Sequence, residues 1–170
     1  MKHYRHPLLS ALLGGIIISS AVTGFVQCQT KVLSTEALTK RAEIVAVGTV
    51  TATKAEWDQN KTRIVTRVTM SVSEYLKGGA GNTMTITLPG GEVDGVGEWY
   101  SHSTRFKQDE DVVVFAERDT RGDLRVAGGS QGKFSIMREK GTSMARVSDQ
   151  MTLDDFKTKI RQAVNVQLTK

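Results

Sequence analysis

The chain is poor in the residues that most often carry chemistry. One cysteine, Cys28, among 170 residues excludes an intrachain disulfide, so the fold must stand on an apolar core. Of the three histidines, His3 and His6 lie at the extreme N-terminus, which leaves His102 alone in the rest of the chain. A Ser-His-acid or Cys-His hydrolase needs a base next to its nucleophile, and a zinc site needs three or four ligands; one histidine and one terminal cysteine support neither. No catalytic residue, metal or cofactor is therefore expected. Walker spacing is also missing: Pro89-Gly90-Gly91 and Gly128-Gly129 precede no helix opening with Lys-Ser or Lys-Thr, so they read as turns. No internal repeat is visible.

What is present begins with an export signal. Lys2, His3, Arg5 and His6 form a basic start, and Pro7 to Val26 follows without a charge. The stretch approaches the ~20 residues that cross a bilayer, so a retained anchor is the second reading. Ser10, Gly14, Gly15, Ser19, Ser20, Thr23 and Gly24 dilute it, which favours removal near Cys28. The expected organisation is a signal peptide over 1–28 and a single domain over 29–170, destined for the periplasm, outer membrane or extracellular space. The full-chain charge of +5 falls to +3 once Lys2 and Arg5 leave with the signal, and the remaining charges are mixed, which gives no reason to expect nucleic acid. Cys28 has three readings: a leftover beside the signal, a lipidated first residue, or a mature N-terminal cysteine with its own role. Phe25-Val26-Gln27 lacks the small residue usual before a lipidated cysteine. Membrane contact is expected only through a retained signal or a lipidated Cys28.

In the mature chain, Ser34 caps a short helix with Leu33 stapled on Leu38. Ile44 to Thr51 is β-branched and apolar on both faces, which predicts a central strand, and Gly48 within it predicts a bulge or a sharp coil. Alternation puts Ile64, Val68, Met70 and Val72 on one face of a second strand, and Met84, Ile86 and Leu88 inward on a third. Glu92 to Gln108 is irregular and reads as a partly ordered loop. Val112 to Ala116 is a second core strand, Leu124 to Val126 and Lys133 to Met137 are two more, and Gly141 to Gln150 reads as a plain connection. Thr152 with Asp155 opens an amphipathic helix over 152–168 carrying Leu153, Phe156, Ile160, Ala163 and Val164 on one face. The expected fold is mostly β: a small OB-like, partly open barrel with a short N-terminal helix and a C-terminal helix, a β-sandwich being the alternative.

Trp99, Tyr100, His102, Arg105 and Phe106 form the candidate binding patch, because exposed aromatics beside an arginine typify recognition surfaces. The competing reading is that these rings cap the core. Acids at Glu92, Asp94, Glu98, Asp109, Glu110 and Asp111 keep a glycan-acting carboxylate pair as an alternative.

Cys28, Ala42-Glu43-Ile44-Val45-Ala46-Val47-Gly48-Thr49-Val50, the long strand ending in Tyr75-Leu76-Lys77-Gly78 and the strand ending at Phe115 together resemble the netrin-like OB domain of the tissue inhibitors of metalloproteinases. The resemblance spans roughly Cys28 to Ala116. It implies that the N-terminal amine and carbonyl of Cys28 chelate a protease's zinc, with Gln29-Thr30 in the protease cleft. The family ties that cysteine with disulfides, and this chain has no second cysteine. The Leu-Pro-Gly-Gly-Glu-Val-Asp-Gly segment is also similar to exported bacterial proteins of unassigned activity. The sequence thus leads to an exported non-enzymatic binding domain with a protein partner, a protease in the form that the resemblance implies, with an envelope glycan enzyme and a structural envelope protein as alternatives.

Overall fold

A run of β-branched residues that is apolar on both faces must be covered on both sides, and the fold is arranged around that need. The structure, a computed structural model, describes residues 31–101, 103–138, 141, 144–148 and 150–169. Cys28 and the signal segment 1–28 lie outside the described residues, as does His102. In chain order the elements are α1 (Thr35–Arg41), β1 (Ile44–Trp57), β2 (Ile64–Lys77), β3 (Thr83–Pro89), β4 (Gly91–Val93), β5 (Val96–Glu98), β6 (Asp111–Arg118), β7 (Leu124–Val126), β8 (Lys133–Ser135), β9 (Met137–Arg138), β10 (Ala145–Ser148), β11 (Met151–Thr152) and α2 (Leu153–Leu168).

The main sheet is antiparallel in the order β3-β2-β1-β6-β7, and β8 pairs with β6 beyond the end of β7. β1 is central, as its composition requires. Val45 and Val47 point to one face with Val113 and Phe115, and there α1 and α2 cover them through Leu38, Phe156 and Ile160. Ala46 and Val50 point to the other face with Val112, Val114, Val68 and Ile86. That second face is covered by the sheet itself, which curls until β3 lies beside β7. No ladder joins β3 to β7, so the sheet stays open. Gly48 sits where the β1–β2 register shifts, and a Cβ there would lie 2.2 Å from the Ser71 carbonyl oxygen. A register shift thus falls at the glycine where a bulge or sharp coil is expected, and the missing side chain lets the two strands approach there.

Both helices are anchored by side chains rather than by length. Ser34 accepts from the Ala37 amide at 3.2 Å, and α1 has only seven residues, too few to persist alone. Lys77, at the end of β2, donates to the carbonyls of Thr39 (2.7 Å) and Ala42 (2.6 Å) and to Gln167 Oε1 (3.1 Å). One ammonium group thereby satisfies two carbonyls at the end of α1 and reaches α2. Thr152 is the N-cap of α2 rather than its first residue, accepting from the Asp155 amide at 3.2 Å. Phe156 then meets Phe115 and Phe134 with ring centroids 6.1 and 4.7 Å apart, a three-ring cluster linking α2 to β6 and β8. No described helix is long and apolar enough to cross a membrane.

One expectation is corrected. The stretch 141–150, read as a plain connection, contains β10, which pairs with β9 and β11 in a small second sheet. The chain leaves β6 at Ile136, whose amide bonds the Asp111 carbonyl, and Val147 and Met151 pack on the core under α2. Two apolar side chains among polar neighbours are too few to announce a strand by alternation.

Phe156→Ala is expected to cost about 3–5 kcal/mol, the range for emptying a buried aromatic site, measured by urea unfolding. Val166→Ala, exposed on the same helix, should stay within about 0.5 kcal/mol.

Candidate functional site

Pro89 ends β3, and two glycines turn the chain back across it. Gly90 (φ +85°) donates its amide to the Ile64 carbonyl at 2.9 Å, and its own carbonyl accepts from Thr66 Oγ1 at 2.7 Å. The chain then forms the β4–β5 hairpin, where the loop expected over 92–108 is in part a strand pair. Asp94 and Gly95 both have positive φ, 51° and 80°, the geometry of a two-residue hairpin turn of the kind that an Asp-Gly pair favours. That dipeptide between Val93 and Val96 was the signal available in the sequence.

The hairpin delivers Trp99 and Tyr100 to the surface. Glu98 fixes their position: one carboxylate oxygen accepts the Ile64 amide at 2.7 Å and the other accepts the Tyr100 hydroxyl. The Tyr100 hydrogen bond, with that of the Ile64 amide, holds the Glu98 carboxyl below its ordinary range, and the Glu98 carboxylate in turn raises the Tyr100 phenol. The rings lie against glycines. A Cβ at Gly97 would sit 2.8 Å from Trp99 Nε1, and one at Gly90 would sit 2.4 Å from the Glu98 carbonyl oxygen and 3.2 Å from the Tyr100 ring. Trp99 is 71% exposed and Tyr100 45%. Trp57, at the end of β1, pairs with Ile64 and is 37% exposed, so both tryptophans of the chain lie at this end of the sheet.

The chain from residue 99 to β6 is clamped by a residue pair that sequence reasoning did not single out as such. Lys133 Nζ donates to the Arg105 carbonyl at 2.8 Å and to Glu110 Oε1 at 2.6 Å, and lies 5.0 Å from the centre of the Phe106 ring. Ser135 Oγ also donates to Glu110 Oε1 (2.5 Å), and the Lys107 amide donates to Oε2 (3.0 Å). Burial pushes the Glu110 carboxyl upward, but the donors on Lys133, Ser135 and Lys107 outweigh it and the pKa is lowered. Glu110 was a candidate acid in the sequence. Here it is a structural acceptor.

Three of the candidate patch residues come together. Trp99, Tyr100 and Arg105 line a cleft of about 410 Å³ with Thr66, Ser103 and Thr104, and Tyr100 also borders a second cavity of about 340 Å³ toward Arg125. Phe106 is half-buried and packs on the core instead. The two readings of the aromatic segment therefore divide it: Trp99 and Tyr100 are surface, Phe106 is core. Glu92 is exposed on β4 and Asp94 forms the hairpin turn. Among the described residues no group of three or more His, Cys, Asp and Glu side chains is placed to hold a metal ion. The cleft offers aromatic faces, hydroxyls and a guanidinium, which suits recognition. Compared with known proteins, the chain matches no protein-family model, no curated protein and no solved structure.

The clamp has a pH signature. A carboxyl lowered on folding contributes stability that is complete above its unfolded value, ordinarily 4.5 for Glu110, and is lost as pH falls through the folded value. Unfolding free energy should therefore fall as pH drops below about 5, and Glu110→Gln should flatten that slope. At pH 7 the same change should cost about 1–3 kcal/mol, because the Lys133 ammonium loses its anionic partner and the Lys107 amide faces an NH2 group in place of an accepting oxygen; denaturant titration across pH checks both.

Proposed function

We propose that this is an exported, non-enzymatic binding domain that captures a protein partner through the surface formed by Trp99, Tyr100 and Arg105. One observation carries the reading: Trp99 is 71% exposed, yet it is seated on a glycine bed within a hairpin that Glu98 ties to β2. Large rings held in water by a rigid frame gain nothing for the fold, whereas tryptophan, tyrosine and arginine dominate the energetics of protein interfaces. Pre-ordering them lowers the entropy lost when a partner docks. Trp57 is part-exposed at the same end of the sheet.

The architecture is best described as an OB-like, partly open barrel. The central position of β1, the register shift at Gly48 and the approach of β3 to β7 support that description. Export follows from the basic and apolar N-terminal segment. Protease inhibition is the specific form that the resemblance to the netrin-like domains suggests. It requires a free Cys28 at the mature N-terminus, which the intact mass of the protein from its native host would establish.

With both tryptophans at this end, intrinsic fluorescence reports on the site. Envelope proteins of the host, fractionated and titrated against the domain, should include one that shifts the emission and co-purifies with it. Trp99→Ala with Tyr100→Ala should weaken that capture by about thirtyfold or more, the scale of two interface anchors, with circular dichroism and Tm unchanged. Capture at full strength by the double variant would contradict the assignment.

A further inference from the structure

A second surface has the opposite chemistry. Arg41 at the end of α1, Arg63 before β2, Arg118 at the end of β6, Arg121 in the following turn and Arg125 on β7 line one cleft of about 560 Å³, with Glu117 and Asp119 as the lining carboxylates. Five guanidinium groups, drawn from five places in the chain, meet the two lining carboxylates and, at the margin, Asp58 and Glu43, so the cations outnumber the acids by one.

The carboxylates are also largely committed. Glu117 is engaged by Arg41 through both oxygens, at 2.6 and 2.8 Å. Asp119 accepts the backbone amides of Arg121 and Asp123 at 2.8 and 3.0 Å, and the same group must serve Arg125 at 2.7 Å and Arg121 at 3.6 Å. The Arg118 guanidinium gives one hydrogen bond, to the Gly122 carbonyl at 2.9 Å, and stands 3.5 Å from Glu43, which also accepts the Arg118 backbone amide at 3.2 Å. Arg63 stands 4.0 Å from Asp58, and its charge also acts on Glu98. The Nε–H of Arg125 is buried and meets no acceptor among the described residues, while the rest of its side chain is part-exposed at the cleft. Guanidinium groups that outnumber their carboxylates leave donors for an added anion.

We propose that this cleft binds phosphoryl groups, with Arg118, Arg121 and Arg125 as the principal donors. A carboxylate is planar and is satisfied by one guanidinium fork, as Glu117 is by Arg41. A phosphoryl group presents three charged oxygens in different directions and suits guanidinium groups that converge from separate elements. The cleft is large enough for a diphosphate. The site shares Arg125 with the small cavity that Tyr100 borders, but none of the residues changed in its test lines the aromatic cleft, so the test does not depend on that assignment.

Calorimetric titration of the full mature protein with pyrophosphate, and separately with vesicles of anionic phospholipid in neutral lipid, tests the proposal and separates a soluble phosphoester from a lipid headgroup. Saturable binding in either arm, weakened by salt, is expected. Arg118→Gln with Arg121→Gln, both on exposed side chains, should weaken it by about tenfold or more, the scale of lost charge-assisted hydrogen bonds, while Lys159→Gln on α2 removes the same kind of charge without that effect. Arg121→Lys should fail to restore affinity, since it keeps charge but loses the fork. No saturable binding in either arm, or equal binding by the double variant and the wild type, would overturn the proposal.

Discussion

The burial of the β1–β6 pair on both faces is the constraint on which the rest of this structure depends. Val45, Val47, Val113 and Phe115 require cover on one side, and Ala46, Val50, Val112 and Val114 require it on the other. The chain meets the first demand with two helices and the second by curling its own sheet. Each solution needs a local device. The helices are held by Lys77, whose ammonium bridges the end of α1 to α2, and by the ring cluster around Phe156. The curl needs the register shift at Gly48, where no side chain would fit against Ser71. With a single cysteine in the chain, packing has to hold these parts together.

The aromatic residues divide by chemistry in a way that bears on function. Phe106, Phe115, Phe134 and Phe156 lie in or against the core, whereas both tryptophans and Tyr100 are at the surface at one end of the sheet. Rings with a polar atom are suited to a wet surface, and those without one to the interior. The surface rings are held by the hairpin after β3 and by Glu98, and the chain that follows them by the Lys133–Glu110 clamp, which meets the core at Phe106. The site is thus a polar framework mounted on an apolar support. The arginine cleft presents the complementary case, a surface of charge whose own acceptors are already in use.

The strands with a period of two, β2 and β3, and the two-faced strands β1 and β6 were legible in the sequence because burial imposes the pattern directly. The caps at Ser34 and Thr152 were legible because they act within three residues. The β4–β5 hairpin was missed although its Asp94-Gly95 turn was readable, because short flanking strands on exposed backbone carry little alternation. The β9–β10–β11 sheet left almost no mark, since only Val147 and Met151 turn inward. Sequence also could not divide Trp99 and Tyr100 from Phe106, because the irregular alternation of the segment does not say which rings turn inward. The five arginines of the second cleft, separated by up to 84 positions between Arg41 and Arg125, form a cluster only when the sheet curls.

The central claim is that the preformed surface around Trp99 is where this domain meets another protein in its own compartment. Site-specific photo-crosslinking in the native host measures it most directly, with a photoreactive residue at position 99 and, as the control, at exposed Val166 on α2. The account predicts a discrete protein adduct from position 99 and none of the same mass from position 166. Absence of any adduct at position 99, or the same adducts from both positions, would contradict it.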